Sequence, residues 1–467
     1  MNLFLKTKTF DVTTEIRAIN DDAFMPILGE EFSSVLDRSR PELCHLLQGF
    51  GSPLNLLFPY TFRENLRAMQ AAFNRVAIDG RVMYAAKVNR SKCFFNICAS
   101  ERIGVDVSSL QELEAALAAG VNGELCSASG PFKSGTFLKR AIRAHALIAI
   151  DSVEELRTLL SIGIACDARL MFRWSGDRGS SRFGMDQHEL ADAIVLLHSA
   201  GLSSCVEGVA FHLCGYSLSE RTSSLWAAIQ LLEEIRKWSP HASLINIGGG
   251  LPINYLAEDD WRRFQGISEI AYAWQKVPKS LYPHWSPATG PQALTSILES
   301  RYEGIPLKER LSATGIRLLV EPGRALLDQA GFSLFHVSGV RRDVAEPVAV
   351  VDGLSFSLSE TWFGGDLGYD PILIAQERPD RDQRAVQCFI GGSSCYENDV
   401  LTWRKISFPN GVDRDDILVF ANTAGYLMDM IESEFHLRPT PARIALDARG
   451  VERCSWVVDA HFEAETS

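Results

Sequence analysis

Between about residues 60 and 330, short apolar runs alternate with longer stretches whose apolar positions recur at helical spacing. This is the pattern of repeated strand and helix units whose strands lie side by side in parallel. Val82–Ala85 reads as a strand and Cys93–Ser100 as a helix. Val105 and Val107 sit on a short strand, followed by an Ala/Leu/Glu helix over Leu110–Ala119 that Gly120 ends. Leu147–Ile150 leads into a helix over Val153–Leu160 capped by Ser152, Leu170–Trp174 into one across His188–Ser199, and Gly208–Leu213 into Ser223–Trp238. With Leu244–Ile247 and Leu318–Glu321, at least seven strands alternate with helices. That number favours an eight-fold parallel barrel, of the α/β class, over an open doubly wound sheet.

Past about residue 330 the texture changes to short β-type runs, Phe332–Val340, Val348–Val351, Val386–Ile390 and Ile417–Phe420, separated by Gly and Asp. The expected organisation is an N-terminal segment over 1–55 that packs with the β domain, a barrel over 56–330 and a mostly β C-terminal domain over 331–467. The aromatic-rich stretch from Leu251 to Leu311, with Trp261, Trp274, Tyr282 and Trp285, is longer than a βα loop needs and reads as an elaborated loop with helices. The tail after Asp459 is expected to fray.

Composition narrows the function classes. A hydrophobic fraction of 46% and a charged fraction of 22% are those of an ordinary globular chain. The net charge of −12 lacks the concentrated positive face that phosphate backbones require, so no nucleic-acid partner is expected. No apolar run approaches the roughly 20 residues that span a bilayer, and Met1–Val12 carries Lys6, Lys8 and Asp11, so the expectation is a cytoplasmic protein with no membrane association. Ten cysteines without a Cys-x-x-Cys pair suggest neither a disulfide framework nor a metal site.

Four places carry candidate chemistry. Lys87, in Tyr84-Ala85-Ala86-Lys87, lies at the C-terminal end of a barrel strand, where such folds build their sites; its amine could form an imine with an aldehyde cofactor. By position alone a solvated strand cap is the commoner reading. Gly248, Gly249 and Gly250 let backbone amides approach an anion, although a glycine triplet is also a common tight turn. Glu321-Pro322-Gly323-Arg324 places a carboxylate and a guanidinium at one strand's end, for one ligand or for a local salt bridge. His212, in Phe211-His212-Leu213-Cys214-Gly215, offers a flat imidazole that can stack on an aromatic ring or simply fill a core.

Taken in order, these motifs resemble the fold-type III pyridoxal-phosphate decarboxylases of ornithine, arginine, lysine and diaminopimelate. The likeness extends to Gly391-Gly392-Ser393-Ser394-Cys395-Tyr396-Glu397-Asn398-Asp399 and to Phe420-Ala421-Asn422-Thr423-Ala424-Gly425-Tyr426, which look like that family's cysteine loop and tyrosine motif. The resemblance implies an alanine-racemase-like (β/α)8 barrel, a β domain, pyridoxal 5'-phosphate as cofactor, and a head-to-tail homodimer with shared active sites. It makes Lys87 the Schiff-base lysine, with Asp106 and Glu112 in support, and stacks His212 on the cofactor ring. Glu321 would pair with the ring nitrogen. Gly248 to Gly250, Arg324 and Tyr426 would hold the phosphate, and Arg173 would stand beside the cofactor. Cys395 would be the acid that reprotonates the α-carbon, and Tyr396, Glu397 and Asp399 are candidate substrate contacts.

Two positions depart from the family pattern. The usual His-x-Gly-Ser becomes His212-Leu213-Cys214-Gly215-Tyr216-Ser217, one residue longer, which moves the serine. Tyr396 stands where an acidic residue commonly reads the far end of the substrate. The reaction implied is α-decarboxylation of an amino acid or amino-acid conjugate. The alternatives are a racemase or epimerase, which needs proton donors on both faces of the carbanion, and a catalytically silent regulatory homologue.

Overall fold

The computed structural model describes residues 22–176, 181–278, 282–359, 365, 367–428, 430, 433–449 and 454–465. Eight strands, Gly80–Ala85, Gly104–Val107, Cys126–Ala128, Leu147–Ile150, Arg169–Trp174, Val206–Phe211, Leu244–Asn246 and Arg317–Val320, close into a parallel barrel. The circle closes where Leu318 pairs with Gly80 on one side and Ile245 on the other. Parallel neighbours need long crossovers, supplied here by helices such as Leu110–Ala118, Gly135–Arg143, Val153–Leu160, Gln187–Ser199 and Leu218–Ile235. Each of these five begins with a side-chain cap, from Ser109, Ser134, Ser152, Asp186 and Ser217 in turn. Such a cap contributes about 1 kcal/mol and sets where the turn after each strand stops. The barrel interior is filled by large and small side chains together, among them Met83, Leu147, Ala149, Met171, Ala210 and Leu319.

The described chain forms two units. One comprises Phe62–Ile253, Pro287–Leu327 and the segment from Ala460; the other comprises the chain up to Thr61, Asn254–Ser286 and Asp328–Asp459. The long aromatic-rich stretch is therefore divided. Its Asn254–Ser286 part belongs to the second unit, where Tyr255 stacks on Tyr369 at 5.8 Å and Trp261 on His284 at 5.4 Å. The helices Gly290–Leu298 and Leu307–Thr314 belong to the barrel unit.

The second unit is built on a nine-stranded sheet, ordered Val400–Phe408, Val386–Gly391, Val348–Val351, Gly331–Arg341, Leu54–Leu57, Ala442–Asp447 and Ser455–Val458 along its main path. Ile417–Phe420 pairs with Gly331–Arg341 and with Ile372–Ile374. The amphipathic helices Glu30–Arg38 and Arg40–Phe50 lay Phe32, Val35, Leu43 and Leu47 on Leu54, Leu56, Phe332 and Ile444 of that sheet. Each such fully buried side chain stabilises the unit by roughly 1.5–3 kcal/mol before entropy is counted.

The expectation of a frayed tail is corrected. Phe462 is buried, Asn96 Nδ2 donates to its carbonyl at 2.7 Å, and Lys92 Nζ reaches the Ala460 carbonyl at 3.0 Å. The helix Lys92–Ser100 supplies these partners, and their distance along the chain hides them from a local reading.

Candidate active site

The C-terminal rim of the barrel collects the expected residues. Lys87 stands on a single turn, Ala86–Val88, directly after the strand Gly80–Ala85, and its side chain is exposed at the barrel mouth. Asp106, from the neighbouring strand Gly104–Val107, is buried; its Oδ2 accepts from Ser129 Oγ at 3.1 Å, while Oδ1 has no hydrogen-bond partner among the described residues. Burial, and then the charge of Glu321, push the Asp106 carboxyl well above the usual carboxylate range, against the lowering effect of Lys87 and Ser129. Lys87, Asp106 and Glu321 thus act on one another electrostatically within one site. Glu112 folds back to accept from the Ser108 amide at 2.7 Å, at the start of the helix Leu110–Ala118.

Glu321 follows the strand Arg317–Val320 and is clasped by Asn246, whose Nδ2 donates to Oε1. The same asparagine accepts from the Gly248 amide at 2.9 Å, and the Glu321 amide donates to the Gly248 carbonyl at 2.9 Å. Asn246 thereby ties the carboxylate to the glycine turn. It was missed in the motif reading, although a buried polar side chain inside the apolar run Leu244–Ile247 was the available signal.

Gly248 and Gly250 adopt φ of +66° and +81°, conformations that side-chain-bearing residues rarely hold. A Cβ on Gly248 would come to 2.6 Å from His212 Nδ1, one on Gly249 to 2.5 Å from the Glu321 carbonyl, and one on Gly250 would overlap the Arg221 guanidinium. The turn is therefore a shallow cup that only glycine leaves open. Arg324, buried in the turn Arg324–Leu326, follows Glu321 in the same segment.

His212 leaves the end of the strand Val206–Phe211, with Nδ1 3.4 Å from the Gly249 amide. Burial, followed by the positive charges of Lys87, Arg173 and Arg221, lowers its pKa to about 3, so the imidazole is neutral at physiological pH and suited to stacking rather than to ion pairing. Arg173, on Arg169–Trp174, is held by Asp151 Oδ1 at 2.8 Å and lies over the Phe183 ring at 4.7 Å. Asp151 Oδ2 also accepts from the Gly184 amide at 3.0 Å, which fixes the Ser181-Arg182-Phe183-Gly184 turn beside Arg173. Ser217, the displaced serine, caps the helix Leu218–Ile235 by accepting from the Glu220 amide at 3.3 Å.

The second unit carries the remaining candidates. Cys395 is exposed, and its Sγ is 3.3 Å from His436 Nε2, a neighbour that no motif pointed to because 41 residues separate the two. Tyr396 and Glu397 are exposed. Asp399, expected as a substrate contact, is instead buried: Oδ1 accepts from the Ser355 amide at 2.7 Å and hydroxyl at 2.8 Å, and Oδ2 from the Ser394 amide at 3.0 Å. With both oxygens so engaged, it shapes the cysteine loop. Tyr426 adopts φ of +67° in the turn after Ile417–Phe420.

Residues 60–289 match the family described as the pyridoxal-binding domain of pyridoxal-dependent decarboxylases. A Sinorhizobium fredii protein, described only as uncharacterized, is 35% identical over 91% of this chain and 94% of its own length. The diaminopimelate decarboxylase of Bacillus methanolicus is 26% identical over 86% of this chain and 89% of its own. The chain belongs to the fold-type III pyridoxal-phosphate decarboxylases.

Solved structures agree on the fold of this decarboxylase. Diaminopimelate decarboxylase from Helicobacter pylori superposes with a TM-score of 0.68 at 15% identity, covering 89% of this chain and 95% of that one. Lysine/ornithine decarboxylase from Vibrio vulnificus does so with a TM-score of 0.67 at 17% identity, covering 90% and 100%. The enzyme uses pyridoxal phosphate and acts on a small amino-acid substrate. Its own residues fit that cofactor: a glycine cup for an anion, a neutral imidazole for the ring, and a clasped carboxylate beside a buried Asp106 oxygen that has no partner among the described residues. Among the described residues no helix is long and apolar enough to cross a membrane, and no group of three or more His, Cys, Asp or Glu side chains could hold a metal ion.

Proposed function

We propose that the enzyme removes the α-carboxylate of an amino acid or amino-acid conjugate, with Lys87 as the residue that holds the cofactor covalently. The observation that carries this reading is the Asn246–Glu321 clasp, which fixes a carboxylate on the strand end adjoining the glycine cup. When bound, pyridoxal phosphate supplies the electron sink for a carbanion at the α-carbon. Glu321 would keep the ring nitrogen protonated, which would favour full delocalisation and hence loss of carbon dioxide. His212, neutral and half-buried, would cover one face of the ring. Arg173, steered by Asp151, would stand beside the cofactor; Gly248 to Gly250 and Arg324 would hold the phosphate, with Tyr426 a further candidate for it.

Cys395 delivers the proton to the α-carbon, with His436 at its sulfur as the group that hands the proton on. The exposure of Cys395 and Tyr396 supports a head-to-tail homodimer in which Cys395 of the partner subunit completes each site. Tyr396 and Glu397 then face the substrate's far end, and an aromatic side chain at the first of these positions favours a substrate less basic than free lysine or ornithine. The proposed compartment is the cytoplasm, where ten cysteines outside any disulfide stay reduced.

The test is the fate of the α-carbon in Cys395→Ala. Carbon dioxide release should continue at a reduced rate, with a growing share of turnovers ending in transamination, visible as pyridoxamine phosphate and a carbonyl product. An unchanged product partition would assign the proton to another group.

A further inference from the structure

Arg221, on the helix Leu218–Ile235, is fully buried in the barrel unit. Its Nη1 donates to the Ile247 carbonyl at 2.9 Å and its Nη2 to the Gly215 carbonyl at 3.4 Å. Among the described residues its Nε is buried without a hydrogen-bond partner and no carboxylate forms an ion pair with it. Burial lowers its pKa to about 10, opposed by Tyr216 and Glu220, so the guanidinium is still charged at neutral pH. A buried guanidinium whose only hydrogen-bond partners among the described residues are two carbonyls, with no carboxylate in contact, is a poorly compensated charge, which protein interiors tolerate badly unless an anion is brought to it.

The location says which anion. Ile247 and Gly215 flank the cup on its two sides, and a Cβ on Gly250 would run into Arg221 Nη2, so the guanidinium is seated directly against the glycine turn. The residue that the family pattern would place there as a hydroxyl is engaged elsewhere. In the longer loop His212-Leu213-Cys214-Gly215-Tyr216-Ser217, the Ser217 hydroxyl caps its helix at Glu220 and lies 3.2 Å from Ser219 Oγ.

We propose that Arg221 is a phosphate-binding residue of this enzyme, supplying as a buried cation what a serine hydroxyl supplies in a His-x-Gly-Ser loop. The proposal rests on the reading that the glycine cup holds the cofactor phosphate. The carbonyls of Ile247 and Gly215 orient the guanidinium, and the phosphate dianion neutralises it.

The experiment compares apoenzyme binding of pyridoxal phosphate, pyridoxal and inorganic phosphate, by titration and by Tm. Wild type should prefer pyridoxal phosphate over pyridoxal and gain Tm from inorganic phosphate. In Arg221→Met the affinity for pyridoxal phosphate should fall by about tenfold or more, the scale of one charge-assisted hydrogen bond, while that for pyridoxal changes by less than about twofold. Inorganic phosphate should no longer raise Tm, and the apoenzyme should melt no lower than wild type, because an unmatched buried charge is gone. Arg221→Lys, which keeps the charge without the fork, should lose about threefold of the preference. Equal losses for both ligands, an apoenzyme Tm that drops with the preference intact, or no loss in either variant would make Arg221 a scaffold for the Gly215 and Ile247 carbonyls and overturn the proposal. A wild type indifferent to the phosphate group would instead remove the placement of phosphate in the cup.

Discussion

Lys87→Ala enzyme, purified with excess pyridoxal phosphate, is expected to lack the visible absorbance of lysine-bound cofactor and to lose decarboxylase activity on the order of a thousandfold or more. The amine is the only nucleophile on the turn Ala86–Val88, and that turn is positioned by a strand at the barrel rim. Because the Lys87 side chain is exposed at the mouth, truncating it should leave the barrel folded, so loss of the chromophore will report chemistry rather than unfolding. Added small primary amines should restore part of the rate by substituting for the missing amine. A visible spectrum like that of wild type would remove Lys87 from its role.

Glu321→Gln should retain the lysine-bound chromophore yet decarboxylate about a hundredfold more slowly, an effect in kcat more than in KM. The amide is isosteric and can still meet Asn246, but it carries no charge with which to hold a proton on the ring nitrogen. Loss of the same charge also removes a cause of the raised Asp106 pKa, since Glu321 is second only to burial among the effects that lift it. The Asp106 carboxyl should therefore titrate lower in the variant, an independent signature readable by infrared difference spectroscopy. An unchanged kcat would sever the carboxylate from the reaction.

The parts of this architecture that were legible in sequence are those written in local patterns. Leu147–Ile150 and Val153–Leu160 with its Ser152 cap emerge with the bounds expected of them, because an apolar run, a cap and a helical stripe follow one another within fourteen residues. The eighth barrel strand, Cys126–Ala128, was not found. Three residues of Cys, Ser and Ala have little β preference, and the strand exists because Val105 to Val107 and Leu147 to Ile148 pair with it on either side. The chemistry divides in the same way. Lys87, His212, Glu321 and the glycines sit in contiguous motifs, whereas Asn246, Asp151, Arg221 and His436 act through partners far away in the chain. The fate of Asp399 and Ser217 makes the converse point: a residue can match a motif while its side chain is engaged in shaping the loop that carries it.

The central claim is that carbon dioxide leaves the α-carbon and a proton takes its place. Incubating the holoenzyme with a panel of amino acids in deuterated water tests it most directly. The account predicts carbon dioxide in stoichiometric amount with an amine product that carries deuterium at the former α-carbon. Deuterium washed into the amino acid itself, with no carbon dioxide released from any member of the panel, would contradict it.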